Sequence, residues 1–161
     1  MTIRLSRAAL PSFSSQISAP NYSPQQLKPG IVHIGVGNFH RAHQAVYLDQ
    51  LFRLGKSLDW ALVGTGVMPV DRVMGQTLAQ QDYLTTVVEQ SAAGYKATIT
   101  GSMIDFLLPG DPANIERLAD PSIRIVSLTV TEGGYFINPA TGEFDPDQPI
   151  LKQDTANPET P

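Results

Sequence analysis

Gly35-Val36-Gly37 is the stretch whose residue types best fit a chemical task. A first glycine permits a tight turn, and a second lets the backbone approach a pyrophosphate. N–H groups at the start of a following helix then face the anion. A third glycine is expected at position 40, where His40 stands instead, with Arg41 beside it. Two side chains able to carry positive charge in a first helical turn oppose the helix dipole by about a few tenths of a kcal/mol or more, and a bound anion would remove that conflict. The other reading has Arg41 paired with a local carboxylate and His40 packed. The ribose of a dinucleotide calls for an acid after the second strand. Asp59 has about the usual spacing of 20 residues from the loop, yet it precedes its strand. Asp71, beyond Gly66, lies on the correct side but after a long loop. It could equally be a helix cap, and Arg72 beside it could meet a 2′-phosphate. Glu132 follows a strand's carboxyl end, as a ligand-site residue or a solvated turn residue. His40 and His43 have the i, i+3 spacing of metal ligands on a helix. With no cysteine and no nearby carboxylate pair, no metal site is expected. His33 sits inside a strand and is expected to be a hydrogen-bonded core histidine.

These residues need elements to hold them. Residues 1–29, rich in Ser, Pro and Gln, read as an N-terminal arm over the surface. Residues 31–36 are a β-branched run that suits a strand buried on both faces. A helix is expected from Phe39 to Leu54, stopped by Gly55, with Ala45, Leu48 and Phe52 on one stripe. Residues 60–63 read as a second strand and 70–81 as a weak helix. Residues 84–90 and 95–103 form a β-hairpin pattern. Asp111 and Pro112 open a short helix at 113–119 as N-cap and first residue, and 123–130 is a further strand. Strand–helix–strand alternation implies a parallel sheet with helices on its faces. The expected fold is α/β: a Rossmann-like doubly wound sheet with an inserted hairpin. It is incomplete, because only the first of two βαβαβ halves is visible. From Pro139 to Pro161 there are five prolines, no expected strand and no expected helix.

Composition narrows the classes. The 161 residues are 42% hydrophobic and 16% charged, which suits a globular chain with one core. The net charge of -4, without a basic cluster, disfavours a nucleic-acid partner. No stretch approaches the roughly 20 apolar residues that span a bilayer, so no membrane partner is expected. The absence of cysteine removes disulfides, thiolate nucleophiles and Cys-ligated zinc, and fits a cytoplasmic location.

The run from Ile31 through Ile34-Gly35-Val36-Gly37-Asn38-Phe39-His40-Arg41-Ala42-His43 to Ala45 closely resembles the signature loop of the mannitol dehydrogenase family of polyol-specific long-chain dehydrogenases. In that family a Phe-His-Arg-Ala-His string stands where the third glycine would be. Residues 125–135, ending Thr131-Glu132-Gly133-Gly134-Tyr135, give a second match, and Gln81-Asp82-Tyr83-Leu84 a weaker third. The resemblance implies a two-domain enzyme moving a hydride between NAD (or NADP) and a polyol/ketose pair such as mannitol and fructose. Fructuronate/mannonate is the alternative pair. It implies that Ile34 to Arg41 form the cofactor loop and that Asp71 is the acid after the second strand. Val70 stands where some members carry a neighbouring acid, which loosens the expectation of strict NAD use. It implies an auxiliary proton-moving role for Glu132, whose Glu-Gly-Gly-Tyr form is more like that of mannitol dehydrogenases.

The family's catalytic lysine, with its asparagine and histidine, belongs to a C-terminal domain that nothing here matches. Residues 30–161 are therefore expected to be a truncated dinucleotide-binding domain without dehydrogenase activity of its own. A non-catalytic nucleotide-binding module, or an unstable fragment exposing a sheet edge, are the rival readings. The oligomeric state is left open.

Overall fold

The computed structural model describes residues 3–13 and 17–159. The remaining parts of the expected arm and tail lie outside the described residues. The chain divides into two compact units, Met1–Thr129 and Val130–Pro161.

In the first unit, β1 (Pro29–Ile34) and β2 (Ala61–Thr65) form the centre of a four-stranded sheet. Outside them lie β5 (Met103–Leu107) and β6 (Ile125–Leu128) in the order β5-β2-β1-β6. Every pairing in this sheet is parallel, with Ile34 opposite Thr65 on one side and Leu128 on the other. Such strands need crossover connections. Helices α1 (Asn38–Ala42) and α2 (Gln44–Arg53) link β1 to β2. Helix α3 (Asp71–Ala79) and the antiparallel hairpin of β3 (Thr85–Ser91) and β4 (Gly94–Thr100) lie between β2 and β5. Helix α4 (Ala113–Leu118) leads to β6. From β1 the chain builds outward through β2 and β5, then returns to place β6 on the other side of β1. The carboxyl ends of β1 and β6 thus flank a topological switch point, where ligands bind in open α/β sheets.

The β-branched centre of the sheet is where burial is deepest: Val32, Leu62 and Val63 have no exposed surface. Ile31, Leu62, Met103 and Phe106 pack with Ala45 of α2 and Leu78 of α3. Phe52 packs with Leu27 of the arm and Ala61. Burying one such side chain contributes about 1.5–3 kcal/mol, so the helical stripe holds α2 in place.

Four expectations change. The single helix expected from Phe39 to Leu54 is broken at His43, which has φ -123 and ψ -79 and separates α1 from α2. The break falls three residues after His40, whose ring is buried against His33 of β1. The expected hairpin strand ending at Met103 is two strands. β4 stops at Thr100, and Met103 begins the parallel strand β5. Gly101 and Ser102 redirect the chain, their N–H and hydroxyl donating to Asp49 Oδ1 and the Ala45 carbonyl of α2. Propensity reports extended backbone but not which sheet it joins. At α4 the helix starts at Ala113 as expected, but Pro112 stands at the N-cap rather than at the first helical position, and Asp111, one residue before it, accepts from the Ala113 N–H through Oδ1. In the second unit, where no helix or strand is expected from sequence beyond Pro139, the chain holds helix α5 (Pro149–Ala156), with Pro149 at its permissive first position, and an Ile137–Phe144 bridge.

The arm is fastened. Ser18 bridges Thr98 of β4, and the Tyr22 hydroxyl donates to Asp49 Oδ1. No helix among the described residues is long and apolar enough to cross a membrane.

Candidate dinucleotide site

Gly35 leaves β1 with φ +91, a conformation that side-chain-bearing residues rarely adopt, and its N–H donates to the Thr65 carbonyl of the neighbouring strand. The Gly37 N–H then donates to the Gly35 carbonyl at 2.8 Å, closing the turn. Gly37 caps α1 without a side-chain hydrogen bond, and a Cβ built on it would meet no atom within 4 Å. The approach to the first N–H groups of α1 is therefore open, which is what a pyrophosphate needs. Because α1 has only five residues, an anion here would be held by local N–H groups rather than by a long helix dipole.

The flanking side chains divide. Arg41 donates to the Gly37 carbonyl through Nε at 3.3 Å and to Asn38 Oδ1 at 2.7 Å. Among the described residues it makes no ion pair with a carboxylate. It also lines a cleft of about 340 Å³ with Gln81, Thr85 and Thr86. Phe39 is exposed, its ring 4.9 Å from that of His43.

His40 is only 1% exposed. Its Nδ1 lies 2.8 Å from Gln44 Oε1, while its Nε2 is buried without a partner. Burial, reinforced by His33 and Arg41, pushes its pKa down to about 4. The positive charge expected on His40 is therefore absent at neutral pH, and a packed neutral ring stands there.

Asp71 opens α3 beyond the carboxyl end of β2, at the same edge of the sheet as Gly35. Its Oδ2 accepts from the Met68 N–H at 2.9 Å, so it does close a local turn. A Cβ on Gly66 would lie 2.1 Å from that oxygen, so the glycine makes room for the carboxylate. Arg72, weighed as a 2′-phosphate contact, donates to the Pro109 carbonyl at 2.6 Å. Asp59 precedes β2, at the opposite edge, and pairs with Arg124 at 2.9 Å. That guanidinium lies 3.6 Å from the centre of the Trp60 ring. Glu132 begins a short 3-10 turn of the second unit, and its side chain lies outside the described part of the structure. Of the two histidines at metal-like spacing, His40 is buried and His43 exposed.

Sequence reasoning missed a buried network on α2. Asp49, 1% exposed, accepts from Tyr22, from Arg53 Nε at 2.6 Å and from the Gly101 N–H at 2.9 Å. Arg53 continues to the Ser18 hydroxyl and the Ala19 and Ile99 carbonyls. The available signal was the i, i+4 spacing of Asp49 and Arg53. It also missed Ser127 and Thr129, the polar positions of an otherwise apolar run, whose hydroxyls bond both nitrogens of His33.

A glycine turn at the switch point of a parallel β5-β2-β1-β6 sheet defines the Rossmann class of α/β folds. The family model described as the mannitol dehydrogenase Rossmann domain matches residues 29–160. The chain belongs to the mannitol dehydrogenase family, as its Rossmann domain. A mannitol 2-dehydrogenase from Cereibacter sphaeroides is 55% identical over 90% of this chain and 31% of its own length. A polyol:NADP oxidoreductase from Gluconobacter oxydans is 45% identical over 98% of this chain and 33% of its own length. The solved ternary complex of Pseudomonas fluorescens mannitol 2-dehydrogenase with NAD and D-mannitol has 43% identity and a TM-score of 0.80, covering 97% of this chain and 32% of that one. The chain thus spans about a third of the length of these relatives.

Proposed function

We propose that this chain is the NAD-binding part of an oxidoreductase that transfers a hydride between a nicotinamide cofactor and a polyol/ketose pair of the mannitol/fructose kind. The observation that carries the reading is the open backbone approach at Gly37, directly after the left-handed Gly35 at the switch point. The residues present fit a dinucleotide: N–H groups without a side-chain cap for the pyrophosphate, Arg41 bonded to the Gly37 carbonyl beside them, and Asp71 at the same edge for a ribose hydroxyl. Ile34 to Arg41 and Asp71 are the binding residues. His40 belongs to them as support from beneath the loop. The bound cofactor supplies the hydride acceptor, and these residues hold and orient it.

Oxidising a secondary alcohol removes a hydride from carbon and a proton from oxygen, so a general base is also required. Lys96 is exposed beside Glu89, and Lys152 beside Asp147 of the second unit. Lys28 and Lys56 are exposed as well. None lies in the cofactor loop, and we assign the base to the part of the longer relatives that this chain does not match. Glu132 is assigned an auxiliary role in proton movement. Val70 beside Asp71 leaves room for NADP as well as NAD, a reading favoured by the likeness to a polyol:NADP oxidoreductase. The composition supports a cytoplasmic setting.

Calorimetric titration of the 161-residue chain with NAD and NADP tests the cofactor reading. Saturable binding is expected, weakened at least about tenfold (about 1.4 kcal/mol) in Gly37→Val, whose side chain fills the open approach. No saturable binding, or equal binding by the variant, overturns it.

A further inference from the structure

His33 and His40 carry ring chemistry that cofactor contacts leave unused. The two rings lie 3.9 Å apart, centre to centre, and within 11° of parallel. Both are buried, at 5% and 1% exposure. They connect four elements. Gln44 of α2 holds His40 of α1 at 2.8 Å. His40 stacks on His33 of β1. The His33 ring then reaches Ser127 of β6 at 2.9 Å and Thr129 just beyond it at 3.0 Å.

Thr129 is also the residue against which the loop rests. Its N–H donates to the Ile34 carbonyl at 3.1 Å, and a Cβ on Gly35 would meet its carbonyl oxygen at 3.4 Å. His40 occupies the place of the third loop glycine, whose usual task is close packing of helix on strand. Here the stacked rings fill that gap.

Charge matters to this arrangement. A neutral imidazole has one donor and one acceptor nitrogen, which two hydroxyls can satisfy. A second proton on either ring would set a positive charge, shut away from water, against the face of the other ring at van der Waals distance. The titratable and charged groups acting on His40 are His33 and Arg41, and neither favours a cation.

Resting on the cofactor reading above, we propose that His33 and His40 are positioning residues: a neutral stacked pair that sets the Gly35–Gly37 loop against Thr129 for dinucleotide binding. His40 acts through His33 without touching the phosphates. The place of the missing glycine is thus taken by a pair of side chains, one on the helix and one on the strand.

The test combines ring-nitrogen NMR of the wild-type chain with NAD titrations of variants. The His40 ring is expected to remain neutral from pH 7.5 to about 5, with and without NAD, and the His33 ring to protonate only below the ordinary histidine range. His40→Gly, which restores the glycine but leaves a void, is expected to bind NAD about tenfold more weakly, within the range of coupling between contacting residues. His33→Val combined with His40→Gly restores close packing of helix on strand, and is expected to recover affinity to within about threefold of wild type. Protonation of His40 on adding NAD overturns the proposal, as does wild-type affinity in His40→Gly. A double variant no better than the single one does the same. Should His40→Gly fail to fold, the wild-type ring measurement decides alone. Absence of any wild-type NAD binding overturns the cofactor reading and this proposal together, whereas binding with any of the other contrary results overturns this proposal only.

Discussion

Replacing Asp49 by alanine removes the acceptor on which three parts of the first unit converge. The Arg53 guanidinium, the Tyr22 hydroxyl and the Gly101 N–H all donate to this one buried carboxylate. Breaking a buried pair by deleting one partner costs about 3–5 kcal/mol, because the other charge is left uncompensated. Arg53 keeps three oxygen acceptors, the Ser18 hydroxyl and the Ala19 and Ile99 carbonyls, and its side chain is 20% exposed. The lower end, about 3 kcal/mol, is therefore expected. With an unfolding entropy of about 2.1 cal/mol/K per residue, that lowers Tm by about 9 °C. Asp49→Asn keeps an acceptor for the Gly101 N–H and loses only the charge, so about half that shift is expected. Thermal melting followed by circular dichroism at pH 7 reads both. The hairpin and arm should loosen first, seen as faster amide exchange at Gly101 and Ile99. A Tm loss below about 2 °C for Asp49→Ala would refute the reasoning, since it would mean that the carboxylate's attraction merely offsets its own desolvation.

Acid should weaken the fold through His40. Its folded pKa, about 4, lies below the unfolded value, so the unfolded chain binds the extra proton first. The stability it contributes is present above pH 6.5 and falls as pH drops toward 4, by about 3 kcal/mol. His40→Phe should flatten that part of a denaturant-midpoint profile against pH, and an unchanged slope would exclude His40 as its source. Tyr22 has the opposite sign. Burial first, then its bond to Asp49, raises its pKa, so its stabilisation is complete below pH 10 and declines at higher pH. Tyr22→Phe should therefore unfold less steeply in alkali, and identical alkaline curves would dismiss the idea. Gly66→Ala places a methyl on the Asp71 carboxylate. It should displace that side chain and weaken NAD binding about tenfold, with only a small change in Tm; unchanged calorimetric affinity would remove Asp71 from the site. Mixing the purified chain with NAD and mannitol should produce no NADH absorbance at 340 nm, and any enzyme-dependent rise would disprove the absence of a base.

The glycine turn and the alternation of strand and helix were legible because each depends on local chemistry: backbone freedom at Gly35 and β-branched runs such as that of the buried strand β1. Membership of β5 in the parallel sheet was not. Thr98 to Met103 reads as continuous extended chain, and only the anchoring of Gly101 and Ser102 on α2 separates two strands there. The protonation state of His40 was equally hidden. Its type and position suggested a cation, but the deciding fact is burial to 1% exposure, reinforced by a ring from β1 lying 3.9 Å away. Helix α5 escaped notice since prolines dominated the reading of the tail, although proline at a first helical position costs nothing. Asp71 shows the reverse case. Its position was inferred correctly as lying past β2, yet its bond to the Met68 N–H appears only in three dimensions.

Clamping Gly101 and Ser102 to α2 also has an architectural consequence. The connection from β2 to β5 returns to the sheet at a point held independently of whatever lies between. The far end of the hairpin, at Ala92 and Ala93 between paired Ser91 and Gly94, is remote from that clamp and solvent-facing. Doubling the length of a flexible loop costs only about 0.6 kcal/mol. That tip is accordingly the place to graft a fluorophore-bearing peptide or an affinity handle without altering strand alignment.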